Sequence, residues 1–228
     1  MAEPTGTKPS QIVSKQRVAD HGEVYTRPEE VNAMIDLVKD QAEQIETRFL
    51  EPACGTGNFL AEVLSRKLDV VGRRYPKAQR ENYELGILIA TASVYGIELL
   101  ADNVEACRRR LLDIVGSFYR ARYAKGMDPE VTSNLLFILN QNIVHGDALS
   151  FQREDGSGEP IRFSQWAAVG RKIKRWEYSY GYMVQGEEER KKETSQGMLP
   201  GLEPEPVEEP YLLKEYDAVY FRELYRAY

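Results

Sequence analysis

The sequence predicts an α/β fold, and three observations predict it. Short apolar runs stop at acids: Arg48-Phe49-Leu50 at Glu51, Val94-Tyr95-Gly96-Ile97 at Glu98, and Ile143-Val144 shortly before Asp147. Stretches with helical spacing of apolar residues accompany these runs, the alternation from which sheets with crossover helices are built. The first run is followed by Gly55 and Gly57, which let the backbone turn tightly and come close to a ligand.

The elements follow in chain order. Residues 1–20 read as an N-terminal arm and 21–152 as the α/β core. Gly22-Glu23-Val24-Tyr25-Thr26-Arg27-Pro28 leads into a helix whose Val31, Met34, Ile35 and Val38 share one face. Thr26 is its expected N-cap, with Pro28 in the first turn and Glu29 and Glu30 favourable to the dipole. Glu51-Pro52-Ala53-Cys54-Gly55-Thr56-Gly57-Asn58-Phe59-Leu60 then reads as strand end, glycine turn and helix start, a ligand loop at the tip of the first strand. A helical run near Ala78–Ser93 precedes the strand Val94–Leu99. Asp102 starts a helix that turns Val104, Cys107, Leu111, Leu112 and Val115 inward. Asn142–Leu149 reads as a short strand and a turn, with His145 on the solvent side.

The loop chemistry favours one ligand class. Pyrophosphate loops use a third glycine, whereas bulky Leu60 stands there in this chain, and Glu51 would repel a pyrophosphate. A carboxylate at that point suits the ammonium of an amino-acid-like ligand, which indicates S-adenosylmethionine rather than a dinucleotide. Glu98 at the second strand tip suits ribose hydroxyls.

The run 51–60 also resembles motif I of the N6-adenine DNA methyltransferases of restriction–modification systems. Tyr25 and Thr26 resemble the family's opening Tyr/Phe-Thr-Pro segment, although Arg27 intervenes before Pro28. Glu98 and Leu99 resemble its ribose-binding strand tip. Asp147, with Ala148 and Leu149, resembles its adenine-binding tip. The matches span roughly Gly22–Leu149 in the family's gamma-type motif order. The resemblance implies a Rossmann-like methyltransferase fold, S-adenosylmethionine as cofactor and DNA as substrate. The implied cofactor-binding residues are Tyr25, Thr26, Glu51, Pro52, Ala53, Cys54, Gly55, Thr56, Gly57, Asn58, Phe59, Glu98, Leu99, Asp147, Ala148 and Leu149.

The family's catalytic Asn/Asp/Ser-Pro-Pro-Tyr/Phe segment is missing: the chain contains no Pro-Pro pair and no Asn-Pro. Catalytic residues are therefore unassigned. The nearest fourth strand, Tyr216–Phe221, ends in Arg222-Glu223-Leu224, and the sheet is expected to be incomplete. Three readings compete. The chain is the cofactor-binding subunit of a split enzyme in a restriction–modification or defence system, whose partner supplies the Pro-Pro segment and target recognition. Alternatively it is a degenerate binding or regulatory subunit, or it methylates another acceptor. The first is favoured, because a partial sheet exposes edges that a partner would cover.

Between the core and the C-terminal segment 213–228 lie two unlike stretches. Residues 153–185 form a basic, aromatic insertion in which Arg171, Lys172, Lys174 and Arg175 are candidate nucleic-acid contacts. The alternation Trp176, Tyr178, Tyr180, Tyr182 also suits a strand with one aromatic face. Residues 186–212 read as an acidic, proline-rich linker. The formal charge of −6 sits between Glu187 and Asp217, where ten acids face four bases, so the rest is neutral and argues neither for nor against DNA. Two separated cysteines and two histidines suggest no metal site. With no signal peptide or long apolar run, a reduced, cytoplasmic, membrane-free protein is expected.

Overall fold

The computed structural model describes residues 26–184 and 212–228. The N-terminal arm, Tyr25 and the acidic linker up to residue 211 lie outside them, and Leu212 belongs to a strand. Helices α1 (Pro28–Asp36) and α2 (Lys39–Ala42) lead to strand β1 (Phe49–Glu51). Then come α3 (Asn58–Arg74), α4 (Arg80–Ala92), β2 (Val94–Glu98), α5 (Ala101–Arg122), α6 (Pro129–Asn142) and β3 (Ile143–Asp147). Parallel pairing in the order β1-β2-β3 sets Glu51 opposite Gly96 and Glu98 opposite His145. Short β4 (Gln152–Arg153) turns back antiparallel on β3. The fold is α/β with a mixed parallel and antiparallel sheet.

Alternation along the strands divides their side chains between two layers. Phe49, Val94 and Ile143 face the helices, where Leu60, Leu64 and Leu68 of α3, Ile87 and Leu88 of α4, Leu111 and Val115 of α5, and Leu135 and Ile138 of α6 form the main core. Buried Lys67 donates to the carbonyls of Gln44, Ile45 and Thr47, so it ties α3 to the chain entering β1. On the opposite face, Tyr95, Ile97 and Val144 pack with Ile161, Phe163 and Tyr180. That cover stops short of β1, where Leu50 is 41% exposed. Among the described residues, β2 is the only strand paired with β1.

A second sheet follows. Strand β5 (Arg162–Val169) turns at Gly170 into β6 (Lys172–Ser179). Strands β7 (Leu212–Glu215) and β8 (Val219–Tyr220) share the far edge of β6, both antiparallel to it. Trp166 on β5 packs edge-on against Phe137 of α6 and donates its indole N–H to Asn142 Oδ1, joining this sheet to the helical layer. A 3-10 turn (Phe221–Glu223) and α7 (Leu224–Ala227) then dock on α6, where buried Asn134 donates to Phe221 O and accepts from Tyr225 N–H.

Four expectations need correction. The stretch Tyr216–Phe221 does not join the parallel sheet as a fourth strand, because β8 pairs with β6 and Tyr216 N–H with Arg175 O. The N-cap of α1 is Arg27 rather than Thr26, since a residue before proline takes the extended conformation a cap requires. Met34 is exposed, leaving Val31 and Ile35 as the buried stripe of α1. The aromatic strand face ends at Tyr178, because Tyr180 and Tyr182 lie in helical residues 180–184.

Candidate functional site

The site is built from the carboxyl ends of the parallel strands and the turn after β1. Cys54 N–H donates to Ile97 O at 2.9 Å, so the loop begins by continuing the β1–β2 pairing. Gly57 N–H then bonds Cys54 O at 2.7 Å and closes the turn. Gly55 and Gly57 both have left-handed backbones, at φ 52° and 80°. They serve different ends. Nothing lies within 4 Å of the position a Gly55 Cβ would occupy, so that side of the loop is open to a ligand. A Cβ on Gly57 would lie 2.5 Å from Cys107 Sγ, so that glycine lets the loop settle on α5. Pro52 and Ala53 are exposed, Thr56 and Asn58 half-buried, and Phe59 turns inward against Phe49. The hydrogen bond with Cys107, with burial adding to it, pushes the Cys54 thiol up, which leaves it a packing group.

Two carboxylates close the strand tips. Glu98 is largely buried and already engaged: Oε2 accepts from Gly55 N–H at 2.8 Å, and Oε1 accepts from Leu100 N–H at 3.0 Å and Asn103 Nδ2 at 3.3 Å. It thereby holds the loop over the β1–β2 edge. Glu51 Oε2, by contrast, is buried with no hydrogen-bond partner among the described residues. Burial, with the charge of Glu98 adding to it, pushes the Glu51 carboxyl up to about 8. The shift leaves the acid neutral at pH 7, and ionising it calls for a donor or cation to meet the buried oxygen.

At the tip of β3, Asp147 Oδ1 accepts from Leu149 N–H at 2.9 Å, and these turn contacts hold its carboxyl below the usual range. Leu149 is thrown into solvent at 89% exposure, and Leu99 is also exposed. His145 Nε2 lies 3.0 Å from Leu99 O and so links the two tips. Two exposed apolar side chains and an anionic carboxylate therefore belong to the tips of β2 and β3, while Ala148 packs against the cluster of Tyr95, Ile97, Val144, Ile161, Phe163 and Tyr180.

Thr26 meets Asn58 in a pocket of about 190 Å³ between α1, α3 and α5. Tyr25 is outside the described residues. The candidate nucleic-acid contacts do not form one patch. Arg175 is 5% exposed, with rings of Tyr216, Trp166, Phe137 and Tyr228 within 5.5 Å and a bond to Ser164 Oγ. Alternation along β6 sends it inward while Lys172 and Lys174 face out. Arg171 pairs with Glu81 and Lys174 with Glu215, leaving Lys172 as the exposed base of the four with no carboxylate within ion-pair distance among the described residues.

The sequence does not announce the supporting roles of Asn103, Cys107, Arg110 and Gly96, although Cys107 faces inward as its helical spacing predicts. Gly96 carried the clearest signal, since glycine inside a strand marks a close approach. Here Cys54 Sγ lies 2.6 Å from where its Cβ would be. Among the described residues no cluster of His, Cys, Asp and Glu could hold a metal ion, and no helix is long and apolar enough to cross a membrane. No protein-family model, curated protein or solved structure matches the chain.

Proposed function

We propose that this chain is the S-adenosylmethionine-binding subunit of a DNA adenine-N6 methyltransferase of a restriction–modification or defence system, with a Rossmann-like fold completed by a partner. The observation that carries the reading is Glu51: a half-buried acid whose Oε2 is buried with no hydrogen-bond partner among the described residues, beside an open glycine loop at a parallel strand tip. The α-ammonium of S-adenosylmethionine brings both the donors and the positive charge this group lacks. Asp147 has an acceptor for the adenine amino group, between exposed Leu99 and Leu149 as apolar walls for the ring. Glu98 offers the ribose its remaining acceptor capacity while it holds Gly55.

Methylating N6 needs a group that holds the amino hydrogens and an aromatic that stacks the flipped base. The chain has no Pro-Pro segment, and the candidate fourth strand lies in the other sheet. The flank of β1, which pairs with no other strand among the described residues, and exposed Leu50 support a partner that brings both the strand and the segment. In this division of labour the chain binds and orients the methyl donor, and the partner binds and activates the acceptor.

The test is methyl transfer from labelled S-adenosylmethionine to unmethylated DNA, by the chain alone and with the product of the neighbouring gene. N6-methyladenine formed only in the mixture supports the split enzyme. Cofactor binding without transfer in either case would favour a non-catalytic binding subunit. No binding of S-adenosylmethionine would end the reading.

A further inference from the structure

The carboxyl ends of α3 and α5 carry a charge that no part of the proposed site uses. Residues 70–80 hold Arg73, Arg74, Lys77 and Arg80, and residues 114–127 hold Arg120, Arg122 and Lys125. Neither stretch contains an acid, in a chain of net charge −6. The fold brings the two together. Helices α3 and α5 run side by side, with Gly57 against Cys107 near their starts and Arg122 Nη1 donating to Gly72 O at 2.9 Å at their ends. The Tyr123 hydroxyl then donates to Lys77 O at 3.0 Å, which sets the following turns beside each other. Arg73, Arg74, Lys77, Arg120 and Lys125 are all exposed. Among the described residues none of these five has a carboxylate within ion-pair distance. The acids that border them pair elsewhere: Glu81 with Arg171, Glu84 with Arg80 and Arg222, and Asp128 with Arg222. Asp69 and Asp113 stand earlier on the two helices and form no ion pair with any of the five.

Helix dipoles do not account for this charge. Each carboxyl end carries about half a negative charge, so the two together call for about one base. Arg122 already fills that place, donating to Gly72 O and Tyr75 O at the end of α3. The rest of the surface narrows the class of ligand. The nearby rings are occupied: Tyr83 and Tyr119 are buried, Tyr123 packs on Tyr83, and Arg80 and Arg122 cover ring faces. No aromatic side chain in either stretch is exposed for single-stranded bases to stack on. No large apolar side chain there is exposed to enter a membrane. What remains is a set of bases, three of the five arginines, whose forked donors suit phosphate oxygens. We infer that this end of the chain is a sequence-independent contact for the phosphate backbone of duplex DNA. Helix α3 runs 17 residues from the loop to Arg74, which places the contact roughly 25 Å from the loop. DNA held there is flanking duplex, not the stretch whose base meets the methyl donor. The inference draws on no residue of the loop and stands apart from the S-adenosylmethionine reading.

The experiment follows binding of the full chain to a fluorescent duplex DNA of arbitrary sequence, by anisotropy over a salt series. Wild type is compared with a variant that combines Arg73→Gln, Arg74→Gln, Arg120→Gln and Lys125→Gln. Wild-type affinity is expected to fall steeply as salt rises. The variant is expected to lower the slope of log K against log salt by about 3–4, with a loss of roughly tenfold or more at low salt. A companion with Arg73→Lys, Arg74→Lys and Arg120→Lys keeps the charge and should keep the slope. All four positions are exposed, so both variants should unfold in urea as wild type does. An unchanged slope in the glutamine variant, or no DNA binding by wild type, overturns the proposal. So does a preference for the single strand over the duplex. Polyglutamate bound as tightly as DNA, and weakened as much by the four changes, would give the patch to an acidic polypeptide and overturn it too. Binding of S-adenosylmethionine is measured separately: its absence ends the cofactor reading and leaves this one standing.

Discussion

Glu51 and Glu98 stand at the ends of paired parallel strands, and the structure treats them oppositely. Glu98 accepts three hydrogen bonds from Gly55, Leu100 and Asn103, whereas Glu51 has a buried oxygen with none among the described residues. The charge of the engaged acid adds to the burial of the unengaged one and lifts it to about 8. Glu51 is consequently largely protonated at neutral pH until a cation arrives.

The sign of the pH dependence follows. Unfolded, Glu51 titrates near 4.5; folded, near 8. The folded state holds the extra proton between these values, so this group's contribution to stability is full below 4.5 and is lost as pH rises toward 8. A cationic ligand selects the ionised form. Affinity for S-adenosylmethionine should therefore rise with pH, by up to about tenfold per unit, as pH approaches 8 from below, and fall again once the ligand's own α-ammonium deprotonates. Proton release measured by calorimetry in buffers of different ionisation enthalpy checks this. Glu51→Gln should raise stability at pH 8 and remove the proton release; release unchanged in that variant would assign it elsewhere.

Gly57 and Gly55 make a controlled pair. Both have φ values that L side chains rarely adopt, but only Gly57 faces a neighbour. Gly57→Ala adds a clash with Cys107 to the backbone cost and should destabilise by about 2–4 kcal/mol. Gly55→Ala should cost about 1–2 kcal/mol, with its main effect on ligand binding, since the added methyl stands on the open side of the loop. Urea unfolding separates the two. Cys107→Ala combined with Gly57→Ala should recover the steric part, and no recovery would mean that Cys107 is not the obstacle.

The loop and its three strands were legible in sequence because an acid at each strand tip and glycines in the turn are local signals. The helix Pro129–Asn142 had such signals too, with Asp128 capping Glu130 N–H and Pro129 in the first turn, yet went unread beside the stronger motifs. The C-terminal strand is a different case. Its composition makes Val219–Tyr220 a strand but does not say which sheet it joins. That is settled by distant contacts, such as Asn134 with Phe221 and Arg222 with Glu84, which no local pattern encodes. Arg175 shows the same limit in the site: bases interleaved with aromatics read as a nucleic-acid surface, while the pleat of β6 sends this base inside.

Arg175 and Lys172 should thus separate cleanly on substitution. Arg175→Met strips partners from Ser164, Gln141 and the surrounding rings, and leaves Glu177 with exposed Arg162 and the Tyr216 hydroxyl. It should cost about 3 kcal/mol in thermal or urea unfolding, the scale of breaking a buried charged contact. Lys172→Ala should leave stability within about 0.5 kcal/mol, as for exposed surface positions. If the chain or its complex binds DNA through this sheet, Lys172→Ala lowers the slope of log K against log salt by about one. An unchanged slope removes the sheet from the DNA-binding surface.

The C-terminal segment is fastened by a buried charge. Glu84 is fully buried and accepts from Arg80, from Tyr119 and, at 2.6 Å, from Arg222, whose other nitrogen reaches Asp128 at 2.8 Å. Arg222 thus connects the turn after β8 to two helices of the main layer. Arg222→Ala leaves Glu84 with Arg80 and Tyr119, which stay in place, so the charge is weakened rather than orphaned. A loss of about 2–3 kcal/mol is expected. The loss should be regional. Amide exchange should accelerate in β8 and α7, while the buried amides of β2 and β3 keep their protection against local opening. Uniform acceleration in all three parallel strands would instead make the two sheets one cooperative unit.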